Sequence, residues 1–145
     1  MEYQRFENTI YLRLDLGDEV VASLRRLAEA ENVKLASVTG LGATDDFTVG
    51  IFDTVEKQYH ALHYTGAHEI TSLVGSINTM NGEHYSHLHM TASGVTGAVA
   101  GGHLNSARIS ATAEIVIDVA NGTVDRFRDE TVGLNLYRFP DGKKL

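Results

Sequence analysis

The chain has 145 residues, of which 43% are hydrophobic and 21% charged, a balance that predicts one globular domain over residues 1–145 and excludes a disordered or fibrous protein. It has no cysteine, which excludes disulfides, thiolate metal sites and cysteine nucleophiles and is typical of cytoplasmic proteins. The formal net charge of −7 disfavours nucleic acid as a partner, because phosphate backbones carry charge of the same sign.

The N-terminal part of the chain predicts one strand followed by the only strong helix. Residues 10–16 alternate between apolar and polar, which is the pattern of a half-buried strand. A helix is predicted over about residues 18–31, with Asp18 as its N-cap and Asn32 as the residue that closes it. Charges interrupt the first 16 residues, and no apolar stretch approaches the roughly 18 residues of a membrane span. We therefore expect neither a leader peptide nor a membrane partner.

From residue 35 onward the apolar period is two, which predicts a series of short strands. Turn signals separate them about every 8–12 residues, a spacing typical of antiparallel sheets. Asn81-Gly82 and Asn121-Gly122 are residue pairs that favour tight hairpins. The expected fold class is α+β, with mostly antiparallel β-sheets packed with one main amphipathic helix, and residues 139–145 form a polar tail. The predicted strands cover residues 35–39, 47–51, 58–64, 69–78, 85–92, 98–104, 108–119, 124–128 and 134–139.

Two of the seven histidines lie in one predicted strand. His87 and His89 are two residues apart, so in a strand both imidazoles point to the same face. Their Cα atoms then lie about 6.5–7 Å apart, close enough for both rings to bind one ion. The alternative is a pair of ordinary histidines on a half-exposed strand.

His103 is the third candidate ligand, and its position depends on the chain reversal over residues 93–97. A loop of three or five residues places His103 directly opposite His87, on the face that both histidines share. A four-residue loop places it opposite Leu88, on the other face, and a bulge at Gly101-Gly102 shifts the register by one. Three imidazoles on one face form an open site that suits Zn²⁺, with Fe²⁺, Mn²⁺ and Ni²⁺ as alternatives.

Glu114 is the only charged residue between Arg108 and Asp118. A carboxylate in such a strand is unusual unless it is paired or binds a ligand. Glu114 is therefore the candidate catalytic residue, as a fourth metal ligand, as a partner of a histidine N–H or as a general acid/base. The alternative is a solvated carboxylate on an exposed sheet face.

Five segments occur in a characteristic order and spacing: Thr-Gly-Leu-Gly-Ala at 39–43, Glu-Ile-Thr-Ser-Leu-Val-Gly at 69–75, His-Leu-His at 87–89, Gly-Gly-His-Leu at 101–104 and Thr-Ala-Glu at 112–114. Together they resemble the PPC (plants and prokaryotes conserved) domain, here as a stand-alone prokaryotic member, over about residues 3–139. The resemblance implies antiparallel sheets and a homotrimer with the histidines near a subunit boundary. Prokaryotic members are often described as DNA-binding, a property of plant relatives that carry an AT-hook outside the domain. This chain has no Arg-Gly-Arg-Pro hook.

The fold of this family is grouped with acetolactate decarboxylase, and the histidine pattern is similar to the zinc site of that enzyme. There a His-x-His and a later histidine hold the metal, and carboxylates and an arginine act beside it. The likeness implies His87, His89 and His103 as ligands, Glu114 as the carboxylate and Arg108 as the arginine.

Three functions are consistent with the sequence. The first is a homotrimer that holds a divalent metal, zinc by preference, and acts on a small carbonyl or carboxylate compound, with Glu114 handling a proton. Whether any reaction is catalysed stays open. The second is a DNA-associated regulatory or architectural protein, although basic residues such as Arg126 and Arg128 are expected to be solvated. The third is a ligand-sensing or scaffold trimer without chemistry.

Overall fold

A computed structural model describes residues 1–143 of the chain. In it the segments with apolar–polar alternation form one large, mostly antiparallel sheet of eight strands. Part of the predicted tail, Lys144 and Leu145, lies outside the described residues. The single helix of the described range is too short to cross a membrane. The elements are β1 (Glu2–Phe6), β2 (Thr9–Leu14), α1 (Val20–Ala30), β3 (Ala36–Asp53), β4 (Gln58–Met80), β5 (Glu83–Gly94), β6 (Val99–Val119), β7 (Asp125–Asp129) and β8 (Leu134–Arg138).

The predicted helix is present but shorter, with 11 residues over Val20–Ala30. Its N-cap is Glu19 and not Asp18, because the Glu19 carboxylate accepts from the backbone amides two and three residues ahead at 3.0 and 2.6 Å. Asp18 instead pairs with the N-terminal ammonium at 2.9 Å. Asn32 closes the helix as predicted, with a left-handed φ of 51°. The apolar side of α1 packs against β5 and β6.

Several predicted short strands are joined into long, irregular ones. The segments 35–39 and 47–51 form one strand, β3, and the same fusion occurs in β4 and β6. Register shifts between Gly40 and Gly42 and between Thr44 and Asp46 lie where the sequence indicates a break. Bulges at these points let a strand bend without leaving the sheet, so the break in the pattern marks a bend and not a loop.

Four strands pair in a closed circuit, since β3 pairs with β4 and β6, and β5 also pairs with β4 and β6. One row of directly opposed residues, Ile115, Gly40, Leu73, Met90 and Gly102, belongs to the face that holds the buried core. Side chains alternate between faces along a strand, so the neighbouring row lies on the opposite face. That row contains Val116, Thr39, Val74, His89 and His103. We call the face that carries this second row the outer face.

The two hairpin predictions have different outcomes. Asn81-Gly82 forms the tight turn between β4 and β5, with φ values of 55° and 80°. The hairpin predicted at Asn121-Gly122 is wrong, because β7 pairs in parallel with β4 and antiparallel with β8. This crossover carries the chain from β6 past the start of β3 and places Arg126 opposite Met80, at the end of β4. The β7–β8 hairpin therefore lies beside the start of β5.

Candidate metal centre

Three histidines converge on the outer face of β5 and β6. His89 is directly opposite His103, and His87 lies two residues before His89 on the same side of β5. One ring nitrogen from each residue lies within 4.8 Å of the other two. The ring centroids are separated by 5.1 Å for His87–His89, 5.3 Å for His87–His103 and 5.7 Å for His89–His103. We call these three residues the histidine cluster.

The loop of this hairpin lies one residue further along the chain than predicted, and this changes the residue that faces His103. His103 pairs with His89 and not with His87, because the loop occupies residues 94–98 and not 93–97. The residue opposite His103 is therefore two positions away from the predicted one. Strand residues two apart share a face, so His103 stays on the predicted face. Gly101-Gly102 forms no bulge, since pairing with β5 is continuous through both residues.

Glycines next to the histidine cluster allow the strands to approach closely. A Cβ atom added to Gly102 would lie 2.6 Å from the carbonyl oxygen of Gly50 on β3. A Cβ atom at Gly75 on β4 would clash with the carbonyl oxygen of His87, closer than any real contact. Gly102 therefore allows the close approach of β6, which carries His103, to β3. Gly75 allows the close approach of β5, which carries His87, to β4.

The surroundings of the cluster favour neutral imidazoles. The pKa of His87 is lowered to about 4, mainly by burial and then by electrostatic repulsion from Arg126, His103 and His89, in that order of importance. Burial also lowers the pKa of His103, with smaller contributions from His89 and Arg126. Both rings are therefore neutral at neutral pH, which is the form that binds a metal ion.

Arg126 lies beside the cluster, although its sequence context predicts a solvated residue. Only 5% of Arg126 is exposed, and its Nη2 atom lies 3.4 Å from Nδ1 of His87. Its guanidinium lies over the rings of Tyr85 and Tyr137, at 4.8 and 4.3 Å, and its Nε donates to Asn78 Oδ1 at 2.7 Å. No local pattern distinguishes Arg126 from the exposed Arg128, because the position of Arg126 depends on the parallel pairing of β7 with β4.

Arg108, the arginine implied by the family resemblance, lies elsewhere. Its Nη2 pairs with Asp45 Oδ1 at 2.8 Å, and the residue is exposed. Arg126 and not Arg108 therefore contacts the histidine cluster.

Glu114 shares the outer face with the histidine cluster but is remote from it. It is exposed, and it lies opposite Arg13 on β2 and Leu41 on β3. Three strand spacings, about 14 Å along the sheet, separate its part of β6 from His89. Within one chain this placement does not support Glu114 as a fourth ligand, and its other roles stay predictions.

A second group of ligand-type side chains lies at the turn between β3 and β4. Asp53, Glu56 and His60 also place one donor atom each within 4.8 Å of the others. The Asp53 Oδ1 atom already accepts from the backbone amides of Val55 and Glu56 at 2.8 and 2.9 Å. Glu56 and His60 are exposed. We call these three residues the turn cluster.

The chain belongs to the PPC family. The model for the Plants and Prokaryotes Conserved (PCC) domain matches residues 1–121, which confirms the resemblance inferred from the sequence motifs. No curated protein matches the chain.

Solved structures of similar proteins share the fold over nearly the whole chain. A candidate DNA-binding protein from Bacteroides thetaiotaomicron is 28% identical, covers 95% of this chain and 96% of its own, and superposes with a TM-score of 0.93. A plant- and prokaryote-conserved protein from Pyrococcus horikoshii is 26% identical, with coverages of 99% and 96% and a TM-score of 0.85. A metal-containing protein from Archaeoglobus fulgidus is 28% identical, with coverages of 95% and 97% and a TM-score of 0.84. The likeness to acetolactate decarboxylase stays a prediction.

Proposed function

We propose that the protein binds one divalent cation per chain through His87, His89 and His103, with zinc the preferred ion. The observation that carries the proposal is the convergence of three imidazole nitrogens within 4.8 Å of one another. A tetrahedral zinc ion with Zn–N bonds of 2.0–2.1 Å holds its nitrogens about 3.3 Å apart. Side-chain rotations that close the gap by up to about 1.5 Å are sufficient to complete such a site. The metal-containing relative from Archaeoglobus fulgidus supports the proposal.

Three protein ligands leave one coordination position open. A metal ion held by the three histidines would supply Lewis acidity at this open position, where it would polarise a ligand oxygen or activate water. In the single chain His89 is exposed, so a small molecule reaches the cluster from solvent without a change of fold. The open position suits a small carbonyl or carboxylate compound, as a substrate or as a sensed ligand.

We also propose a homotrimer in which a second copy covers part of the outer face. Val74 lies directly opposite His89 and is 46% exposed, and Tyr11 and Leu41 on the same face are 55% and 57% exposed. Exposed apolar side chains spread over β2, β3 and β4 of one face favour an interaction surface there. Multi-angle light scattering at micromolar concentration should give three times the mass of one chain, and a monomer would contradict the proposal.

Zinc titration of chelator-treated protein tests the metal proposal most directly. Calorimetry and elemental analysis should both give about one zinc ion per chain. Absence of tight zinc binding at pH 7.5, with cobalt and manganese also failing to bind, would contradict it.

DNA binding is the second candidate, because the similar protein from Bacteroides thetaiotaomicron is described as a candidate DNA-binding protein. The net charge of −7 opposes it. We expect duplex DNA to bind near physiological salt no more tightly than the non-specific range of about 10⁻⁴–10⁻⁶ M. A sequence-selective gel shift at nanomolar protein would favour the DNA function instead.

A further inference from the structure

Arg126 is a buried positive charge without an acidic partner. No carboxylate lies within 4.0 Å of its guanidinium among residues 1–143. Its close hydrogen-bond acceptors are neutral: Asn78 Oδ1 at 2.7 Å and the carbonyl oxygen of Asn135 at 2.6 Å. The rings of Tyr85 and Tyr137 compensate part of the lost hydration through cation–π contact. A buried charge that is only partly compensated attracts a counter-ion.

One end of this guanidinium is poorly satisfied, and it is the end beside the histidine cluster. Nε and Nη1 donate to Asn78 and Asn135 at short distances, whereas the Nη2 contact with His87 Nδ1 is long, at 3.4 Å. An Nη2 group carries two N–H donors. Arg126 therefore has unused donor capacity on the side that contacts His87.

Metal binding by His87 removes even this weak acceptor. A neutral imidazole has one nitrogen lone pair, and Arg126 occupies it when it donates to Nδ1. If Nδ1 binds a cation, the lone pair is no longer available to Arg126. If the other nitrogen, Nε2, binds the cation, then Nδ1 carries the proton and faces Nη2 donor to donor. In both cases two positive centres become neighbours, and Nη2 loses its acceptor.

We propose that Arg126 makes the histidine cluster a joint site for a divalent metal ion and a small carboxylate anion. The inference rests on the proposed metal-binding function and specifies its ligand class. A carboxylate oxygen supplies the acceptor that Nη2 lacks, and its negative charge offsets the positive charge of the guanidinium and the metal ion. The histidine cluster itself contains no carboxylate.

Hydroxyl groups extend this polar side of the cluster. Ser76 lies directly opposite His87, and its Oγ atom is 2.8 Å from the Tyr137 hydroxyl. Asn78 Nδ2 donates to Ser76 Oγ at 3.0 Å, so the amide that orients Arg126 also orients the serine. A carboxylate on Arg126 therefore lies near hydroxyl donors.

Acetate binding to the cobalt-loaded protein tests this proposal. Cobalt content is measured first, and then acetate and its neutral isostere acetamide are titrated with detection by visible absorption and calorimetry. We expect acetate to bind and acetamide to bind at least tenfold more weakly. Arg126→Gln should retain cobalt, because it removes a positive charge near the cation, and should lose about 10- to 100-fold in acetate affinity.

Arg128→Gln is the matched control, since Arg128 lies on the same strand, is exposed and carries the same charge. It should bind acetate like the parent. If Arg126→Gln fails to fold, Arg126→Lys keeps the charge without the planar fork, and acetate affinity should fall to an intermediate value. Equal affinities for acetate and acetamide, or full acetate affinity in cobalt-loaded Arg126→Gln, would overturn the anion proposal alone. A parent protein that retains no cobalt would overturn the metal proposal and this inference with it.

Discussion

The histidine cluster and the turn cluster both hold their donor atoms within 4.8 Å of one another, yet they differ in donor chemistry and in the contacts that their donors already make. In the turn cluster, Asp53 already accepts two backbone amides and thereby shapes the β3–β4 turn. In the histidine cluster, His87 and His103 are half-buried and their pKa values are lowered, so both imidazoles are neutral at neutral pH. Donor spacing alone therefore does not identify a metal site.

The difference also concerns rigidity. The histidine cluster lies on two paired strands inside a circuit of four ladders, so its backbone positions are set by hydrogen bonds on both sides. Glu56 and His60 of the turn cluster are exposed, so ordering them around an ion costs side-chain entropy. A site that is already ordered binds a metal ion more tightly than one that must be assembled.

The largest expected effect is loss of metal from the histidine cluster. His87→Ala combined with His89→Ala should abolish zinc binding, because one remaining imidazole cannot hold the ion. The matched double variant of the turn cluster, Glu56→Ala with His60→Ala, should retain about one zinc ion per chain. Elemental analysis after gel filtration measures both. Zinc retained by the first variant, or lost from the second, would reverse the comparison.

Assembly should respond strongly to a charge beside the histidine cluster. Val74→Asp places a carboxylate on the outer face directly opposite His89, where we propose that a second copy covers apolar surface. A charge buried without a partner at an interface is strongly destabilising, so the trimer should dissociate. Val55→Asp, at an exposed apolar residue next to the turn cluster, is the control and should stay trimeric. Light scattering that shows the same mass for both variants would contradict the proposed interface.

The lowered pKa of His87 predicts acid sensitivity of the metal-free protein. In the unfolded chain an imidazole has a pKa of about 6.5, whereas the folded protein lowers the His87 pKa to about 4 through burial and then Arg126. Between these values the unfolded state binds more protons, so stability falls as the pH falls from about 6.5 to 4. His87 is half-exposed, so solvent screening makes the effect smaller than the full shift implies.

Urea denaturation at pH 7 and pH 4 measures this effect, and His87→Asn should reduce the difference between the two midpoints. The same shift means that protons compete with metal for His87 only near pH 4. An identical pH dependence in parent and variant would show that His87 is not the responsible group.

Much of this site is visible in the sequence, and the part that is not has a physical reason. The spacing of His87 and His89 fixes their common face, since strand residues two apart always share a face. The partner of His103 depends on where the loop begins, and a glycine-containing reversal permits several registers. Arg126 reaches the cluster through a parallel pairing between strands distant in sequence, and no local pattern encodes such a contact.

The same distinction applies to the fold. The amphipathic helix and the antiparallel sheet follow from apolar periodicity and are confirmed, with the helix boundaries moved inward. The hairpin at Asn121-Gly122 is wrong because a turn-forming pair specifies a reversal but not the strand that the chain meets afterwards. Local preferences define elements, whereas long-range pairing decides which residues become neighbours.

The smallest expected effect concerns Glu114, which shares the outer face with the histidine cluster but lies about three strand spacings from it. Glu114→Gln keeps the shape and removes the charge. Because the residue is exposed and opposite Arg13, which already pairs with Glu2 and Asp15, stability should change by no more than about 0.5 kcal/mol. Zinc affinity should equal that of the parent if each chain forms its site alone. A loss of about 10- to 100-fold, present in the trimer and absent in a dissociated Val74→Asp background, would instead show that Glu114 serves the metal site of a neighbouring chain.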